Sequence, residues 1–428
     1  MKMRSGVLKK RIVSLGRVGR RAAARRMLFS LAALGCAVGF TADCVSAGER
    51  TEISASDFVN MIGVGVHMRY TDGAYADALK VIEDITFLGI KRVRDDLPGN
   101  DTKESLHARD MLKRMAFDRI RFDLVFSGRW KEDGAIDFLK ILEMAVPGSL
   151  ASVEGYNEIN NVPVTYDGLG GVAGAAAGQR AIYQAIKSNP ALSHVPVIDM
   201  TGFVEVKDST FNYGASLKGY ADVMNTHSYA QNGAQPGGWI NAEKLGHYKA
   251  VEEPMPKVIT EFGYASMPQS GWLVIGVDER TQAKGLLNGL FDAARSGYDG
   301  IYIYELLDQK PDPEQKELEF HFGLFDFDNL AKLAAGAIRN LTAILGGGLN
   351  EGRKMPDESV RITVEAPEPG EQVRTLGLRK SNGAQVAAIW HETPFWDRAS
   401  GAPLEATSVP AKISFGKSCS AIKRYDLL

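Results

Sequence analysis

Between Ile62 and Leu345, short apolar runs alternate eight times with stretches of helical spacing, and this alternation restricts the fold more than any other feature. The strand-like runs are Ile62–His67, Ile90–Arg94, Arg119–Phe126, Leu150–Tyr156, Val195–Met200, Ala221–Thr226, Lys257–Thr260 and Gly300–Tyr304. The helical stretches are Tyr75–Leu88, Leu106–Met115, Ile136–Val146, Val172–Lys187, Thr210–Leu217, Ala242–Val251, Glu279–Arg295 and Leu330–Leu345. In the first of these Leu79, Ile82, Ile85 and Leu88 recur at the spacing of one helix face. Gly89 ends that helix and Pro147-Gly148 ends the third. A strand, a crossover helix and a second strand make a parallel unit, and eight such units close into a ring. The expected fold class is therefore α/β, a (β/α)8 TIM barrel over residues 55–348.

Gly346-Gly347-Gly348 breaks the pattern, and beyond it only strand signals remain. These are Val360–Val364, Val373–Leu378, Gln385–Trp390, Lys412–Ser414 and Ala421–Tyr425, with turns such as Ser381-Asn382-Gly383 between them. Residues 349–428 are expected to form a small all-β, sandwich-like domain. The alanine- and glycine-rich Gly168–Gly178 segment reads as a loop feeding a helix. It lacks the Gly-Lys-Ser/Thr of a phosphate loop.

The first 47 residues read as an export signal. A basic stretch holding Lys9, Lys10, Arg11, Arg20, Arg21, Arg25 and Arg26 precedes the apolar run Met27–Phe40, and Val45-Ser46-Ala47 supplies small residues for cleavage. The run is short for a membrane span, which needs about 20 residues. The expectation is a secreted or periplasmic protein with no stable membrane insertion once the signal is removed; the alternative is an uncleaved anchor. Formal net charge is −2 for the whole chain, and much of the positive charge lies in the signal, so nothing favours a nucleic-acid partner. Of the three cysteines, Cys36 and Cys44 lie in the signal, leaving Cys419 alone. Neither a disulfide framework nor a cysteine metal site follows from that, and no His-Glu-x-x-His helix is present.

In a (β/α)8 barrel the chemistry sits at the carboxyl ends of the strands. Two places there carry acids in a pointed context. One is Glu154-Gly155-Tyr156-Asn157-Glu158-Ile159-Asn160-Asn161 after the fourth strand. The other is Val258-Ile259-Thr260-Glu261-Phe262-Gly263-Tyr264 at the seventh. Strands four and seven face each other across a closed ring. Their ends thus offer two carboxyl groups to opposite sides of one bond. Retaining cleavage of a glycosidic bond needs such a pair about 5–5.5 Å apart, one protonated and one ionised. Neighbouring negative charge is expected to keep the acid protonated. Glu154 reads as a structural acid.

Asn157-Glu158 followed by Asn160, and Thr260-Glu261-Phe262-Gly263, resemble the signature of clan A retaining glycoside hydrolases. Within that clan the chain is most similar to the family 39, cellulase-like type, with its added β domain. The resemblance covers the barrel and is sharpest at strands four and seven. It implies Glu158 as acid/base, Glu261 as nucleophile and Asn157 as the residue that binds the sugar hydroxyl at carbon 2. It also implies that Arg94 pairs with the nucleophile, that Tyr229 donates to it, and that His227 contacts the sugar. His67 either lines the pocket or is a satisfied buried histidine. Two departures stand out: Tyr304 occupies the place of the clan's subsite tryptophan, and Ile159 replaces a proline. Trp239 and Trp272, expected in loops after strands six and seven, are either sugar platforms or ordinary loop packing.

The expected function is hydrolysis of a β-linked polysaccharide or oligosaccharide with net retention. It needs no cofactor and no metal, because two carboxyl groups suffice. The alternatives are a non-catalytic carbohydrate-binding barrel, a transglycosylase using the same intermediate, and a metal-dependent barrel enzyme.

Overall fold

The computed structural model describes residues 50–202, 217–245, 255–270, 276–346, 362–365, 373–406, 408–415 and 421–428. The expected export signal, nearly all of the Thr210–Leu217 helix, Gly347, Gly348 and Trp272 lie outside the described residues.

The described chain opens with strand β1 (Glu52–Ser54) and helix α1 (Ala55–Asn60). The barrel follows: β2 (Ile62–Gly65), α2 (Ala78–Leu88), β3 (Arg92–Asp96), α3 (Lys103–Phe117), β4 (Arg121–Val125), α4 (Ala135–Ala145) and β5 (Leu150–Glu154). A hairpin of β6 (Thr165–Tyr166) and β7 (Leu169–Gly170) then leads into α5 (Gly171–Lys187). The second half comprises β8 (Val197–Ile198), β9 (Met224–His227), α6 (Pro236–Leu245), β10 (Lys257–Phe262), α7 (Glu279–Arg295), β11 (Gly300–Ile303) and α8 (Leu333–Leu345). Strands β12 (Ile362–Glu365), β13 (Val373–Arg379), β14 (Gln385–His391), β15 (Trp396–Asp397), β16 (Ala402–Pro403) and β17 (Lys412–Phe415) complete the order.

Eight parallel strands run β8-β5-β4-β3-β2-β11-β10-β9, and a parallel bridge from Ile198 to Val223 joins the two ends. The eightfold alternation therefore closes into the expected (β/α)8 barrel. Residues facing outward on the strands, such as Ile62, Val93, Leu124, Val153, Ile259 and Ile301, are buried in one apolar core. Ile198, Val258 and Tyr302 form a separate small apolar cluster, and Gly63 leaves room for the Tyr302 ring.

Helix ends follow their local chemistry. Asp77 caps α2 by accepting from the amides of Leu79 and Lys80, and Asp278 caps α7 by accepting from that of Thr281. The buried face of α2 is Ala78, Val81, Ile85 and Leu88. Leu79, expected on that face, is 61% exposed, because the face is phased one residue earlier than the leucine pattern alone indicates. Helix α6 begins at Pro236, six residues before the sequence pattern begins. Most of Gly168–Gly178 is helix rather than loop, since α5 starts at Gly171. Gly178 turns its missing side chain toward Tyr156, and a Cβ there would overlap the tyrosine hydroxyl.

The C-terminal strands only partly match expectation. β13 and β14 pair antiparallel, and β1 joins them in parallel, Glu52 opposite Gly377. Ala421–Tyr425, expected as a strand, is not one. The sheet is fastened to the barrel by a stack in which Trp390 lies 5.4 Å from Phe291, and Phe291 5.0 Å from Phe58. Asp292 accepts from Arg374 Nη1 at 2.6 Å and from Trp390 Nε1 at 3.2 Å, while Arg374 Nη2 lies 2.8 Å from Glu392 Oε2. Burial and the neighbouring Glu392 carboxyl push Asp292 up to about 8.

Alanine at position 178 tests the packing of α5 on the loop that carries Glu158. Alanine gains about 0.5–1 kcal/mol in an unhindered helix, but overpacking costs about 1–3 kcal/mol. Gly178→Ala should therefore lower unfolding stability in urea; a gain would show that Tyr156 has room to move aside.

Candidate active site

Arg94, Asn157, Glu158, His227, Tyr229 and Glu261 converge at the carboxyl ends of the strands. Arg94 projects from β3 into the ring. Its Nε and Nη2 donate to Glu154 at 2.7 and 2.9 Å, Nη1 donates to Glu261 Oε1 at 2.7 Å, and Nη2 also donates to Asn157 Oδ1 at 2.7 Å. One guanidinium thus ties β3 to the end of β5, to the loop beyond it and to β10. Burial alone opposes its charge, but Glu154 and then Glu261 hold it well above the ordinary arginine value.

Glu261 reaches the interior through an irregularity. Along β10, Ile259 pairs with Thr226 and Glu261 with His227, so one extra residue is inserted on β10. Such a bulge lets neighbours share a face. Thr260 and Glu261 accordingly both point inward, while Ile259 and Phe262 join the outer core. Thr260 donates to Asn225 Oδ1 at 2.8 Å, and Asn225 Nδ2 donates to Glu154 Oε1 at 3.1 Å. Tyr229 donates to Glu261 Oε2 at 2.8 Å. Both Glu261 oxygens therefore carry a donor.

Glu158 lies on the loop after β5 with φ of +41°, a left-handed conformation that side chains seldom take. The turn is held from several sides. The Glu158 amide donates to Thr201 Oγ1 at 3.0 Å, and its carbonyl accepts from Asn161 and Val162, each at 2.7 Å. The Ile159 amide donates to the Thr201 carbonyl at 3.0 Å. A proline there has no such donor, which explains how this chain accommodates isoleucine.

His227 sits between the two acids, fully buried. Its Nδ1 lies 2.9 Å from Glu158 Oε1 and 3.4 Å from Glu261 Oε2. Burial penalises the charged imidazole, yet Glu261 and Glu158 together raise its pKa. Burial likewise works against an ionised Glu158, but the His227 hydrogen bond and charge outweigh it and lower that carboxyl below its ordinary value. The expected effect of neighbouring negative charge on Glu158 is thus outweighed by His227, whose Nδ1 lies 2.9 Å away.

An oxygen of Glu158, an oxygen of Glu261 and a ring nitrogen of His227 all lie within 4.8 Å of one another. That spacing also suits a cation, but the surrounding donors do not. Arg94 and Tyr229 already occupy the Glu261 oxygens. A divalent ion there would share those oxygens with their donors and sit beside the positive charge of a guanidinium.

Tyr304 follows β11 beside this cluster, its ring 6.5 Å from Tyr229 and 5.4 Å from Phe322. Its hydroxyl hydrogen-bonds Glu319 and accepts from Gln309 Nε2 at 3.3 Å. The wall is therefore aromatic with a polar edge. His67 stands edge-on to Tyr304 at 5.6 Å, with Nε2 3.2 Å from Glu305 Oε2. Burial disfavours its charge, but Glu305, aided by Asp95 and Asp96, raises His67 to about 9. Trp239 is not in a loop: it lies in α6 and packs against the main apolar core. Sequence reasoning missed Asn225, Gln309, Glu319 and the inward Thr260. Only Thr260, adjacent to a singled-out acid, left a signal there.

No family model matches the chain, and no curated protein matches it. Solved structures similar to it include a Rhizomucor miehei β-1,3-glucanosyltransferase active-site mutant in complex with laminaritriose. That match is at 15% identity over 65% of this chain and 96% of the other, with a TM-score of 0.47. A Ruminococcus gnavus β-glucuronidase is similar at 16% identity over 66% of this chain, with a TM-score of 0.43, and the chain spans half of that protein's length. GH5_18 from Bifidobacterium longum subsp. longum is similar at 13% identity over 67% of this chain and 79% of the other, with a TM-score of 0.48.

Removing Arg94 would leave Glu154 and Glu261 buried without their cation, a change that costs about 3–5 kcal/mol. Arg94→Met is expected to lose that much stability in denaturant unfolding at neutral pH. A loss below about 1 kcal/mol would mean the guanidinium is not what holds these acids.

Proposed function

We propose that this protein is a retaining glycoside hydrolase that acts on a β-linked polysaccharide or oligosaccharide by double displacement. The observation that carries the reading is the pair of carboxyl groups at the ends of opposite barrel strands, Glu158 and Glu261, with oxygens within 4.8 Å of each other. Inverting enzymes need about 6.5–9.5 Å to admit a water between the acids, whereas retaining ones bring them to about 5–5.5 Å.

In this reading Glu261 is the nucleophile. Arg94 and Tyr229 each hold one of its two oxygens and so fix its orientation. Glu158 is the acid/base. The proton it needs is close at hand, since His227 Nδ1 lies 2.9 Å from Glu158 Oε1. Glu261 attacks the anomeric carbon, and Glu158 delivers the proton to the departing oxygen. Glu261 loses its charge when it becomes a glycosyl ester. Glu158, now ionised, then takes a proton from the incoming water, and the ester is released with the original anomeric configuration. Asn157 is assigned to the hydroxyl at carbon 2, and Tyr304 to the face of the sugar. The same reading takes residues 1–47 as an export signal, so that substrate is met outside the cytoplasm. It also keeps residues 349–428 as an accessory β domain.

Glu261→Gln keeps the shape and removes the nucleophile. It should lower kcat by at least about 10³-fold on whichever aryl β-glycoside or polysaccharide the wild type cleaves. NMR of the first-formed product should show the substrate's own anomer; the opposite anomer would exclude double displacement.

The alkaline limb of kcat/KM should belong to the Glu158–His227 pair and lie above the ordinary histidine value, because His227 is raised. With His227→Gln the last proton lost is Glu158's own, and the limb should move to lower pH. An unmoved limb would place the essential proton elsewhere.

A further inference from the structure

Beneath the two proposed catalytic acids lies a carboxyl group that no step above uses. Asp123 is on β4, level with Arg94 on β3 and Ser152 on β5 in the strand register, and it is fully buried. Its Oδ1 accepts from Ser152 Oγ at 2.9 Å. Its Oδ2 is buried and no donor reaches it. Beside it stands Glu154, also fully buried, within hydrogen-bonding reach of the Asp123 carboxyl. Glu154 Oε1 accepts from Arg94 and Asn225, and Oε2 accepts from Arg94 alone, which leaves it room for one more donor.

Two carboxylates cannot both be ionised side by side in a dry interior. The guanidinium clasps Glu154 and not Asp123, so Asp123 is the one that takes the proton. Placing a proton on Asp123 turns the stranded Oδ2 into a donor aimed at Glu154 and satisfies both groups. The groups facing Asp123 fit that assignment. Arg94 on β3 is already committed to Glu154 and Glu261, Ser152 on β5 donates to the other oxygen, and Tyr302 on β11 is a neutral phenol. Arg92 bears on the neighbouring Tyr302 from β3. Burial, followed by the charge of Glu154, pushes the Asp123 carboxyl well above its usual range.

We infer that Asp123 is a protonated positioning residue that donates to Glu154 and thereby keeps the Arg94 guanidinium shared between Glu154 and Glu261. An ionised Asp123 would add a second anion on the inner side of Arg94 and draw the guanidinium away from Glu261. The inference rests on the proposed retaining mechanism for its catalytic consequence, but the proton itself is observable without any substrate.

Two measurements test it. The infrared difference spectrum between wild type and Asp123→Asn at neutral pH should show loss of one protonated-carboxyl C=O stretch in the variant. Asparagine is neutral, and its Nδ2 can donate to Glu154 in the same place, so Asp123→Asn should keep kcat within about 5-fold of wild type. Asp123→Val has no donor and leaves Glu154 and Ser152 short of a partner. It should lower kcat at least about 10-fold with KM little changed, and it should shift the acid limb of kcat/KM. No carboxyl band lost, an Asp123→Asn variant as impaired as Asp123→Val, or an Asp123→Val variant with wild-type kcat and pH profile would each overturn the inference. Should Asp123→Val fail to fold, the infrared arm and Asp123→Asn still decide. A wild type that cleaves no glycoside would sink the retaining mechanism instead and leave the infrared result standing.

Discussion

The Arg94 guanidinium is the interaction around which the candidate site is built. It makes four charge-assisted hydrogen bonds, to both oxygens of Glu154, to Glu261 and to Asn157, and so joins three barrel strands through one planar group. Such bonds are roughly twice as strong as neutral ones, and their fixed fork sets direction as well as distance. Because the arginine is nearly buried, its charge is little screened by solvent. Other groups are placed around it: Asn225, itself held by Thr260, donates to Glu154, and Tyr229 donates to Glu261.

His227 supplies the second organising constraint. A fully buried imidazole 2.9 Å from the Glu158 carboxyl ties the titrations of those two groups together. The electrostatics of the site then follow from geometry. The acid on the β5 loop is drawn down and the imidazole is drawn up, and each shift has the other group among its causes. The left-handed turn at Glu158 brings its side chain to this wedge, held by the hydroxyl and carbonyl of Thr201.

Much of this was legible in the sequence, for reasons that differ from element to element. The eight strands could be placed because parallel barrel strands are apolar nearly throughout, as in Ile62–Gly65 and Gly300–Ile303, where every residue is buried. Glu158 and Glu261 stand out because each sits at or just after such a run, and Arg94, Asn157, His227 and Tyr229 follow from the resemblance that those two segments carry. The bulge in β10 could not be read, since period-two alternation makes Thr260 and Glu261 face opposite ways. Leu79 was misassigned because a short helix with apolar residues on more than one side has no unique phase. Trp239 was placed in a loop because Gly237-Gly238 hides the first turn of α6 from any propensity argument. Asp123 gave no signal, because an aspartate within Arg121–Val125 reads as an ordinary polar break in a strand. Its meaning comes only from Glu154, thirty-one residues later in the chain.

The parallel pairing of β1 with β13 has a consequence for the behaviour of the outer sheet. Three residues ahead of the barrel cover one side of β13, with Arg379 and Glu52 paired across the join. Proteolytic nicking between β1 and α1 would release that cover. The flank of β13 at Gly377, Leu378 and Arg379 would then lie open, the arrangement that recruits a strand from another molecule. The short first strand thus closes an edge of the outer sheet that lies apart from the candidate site.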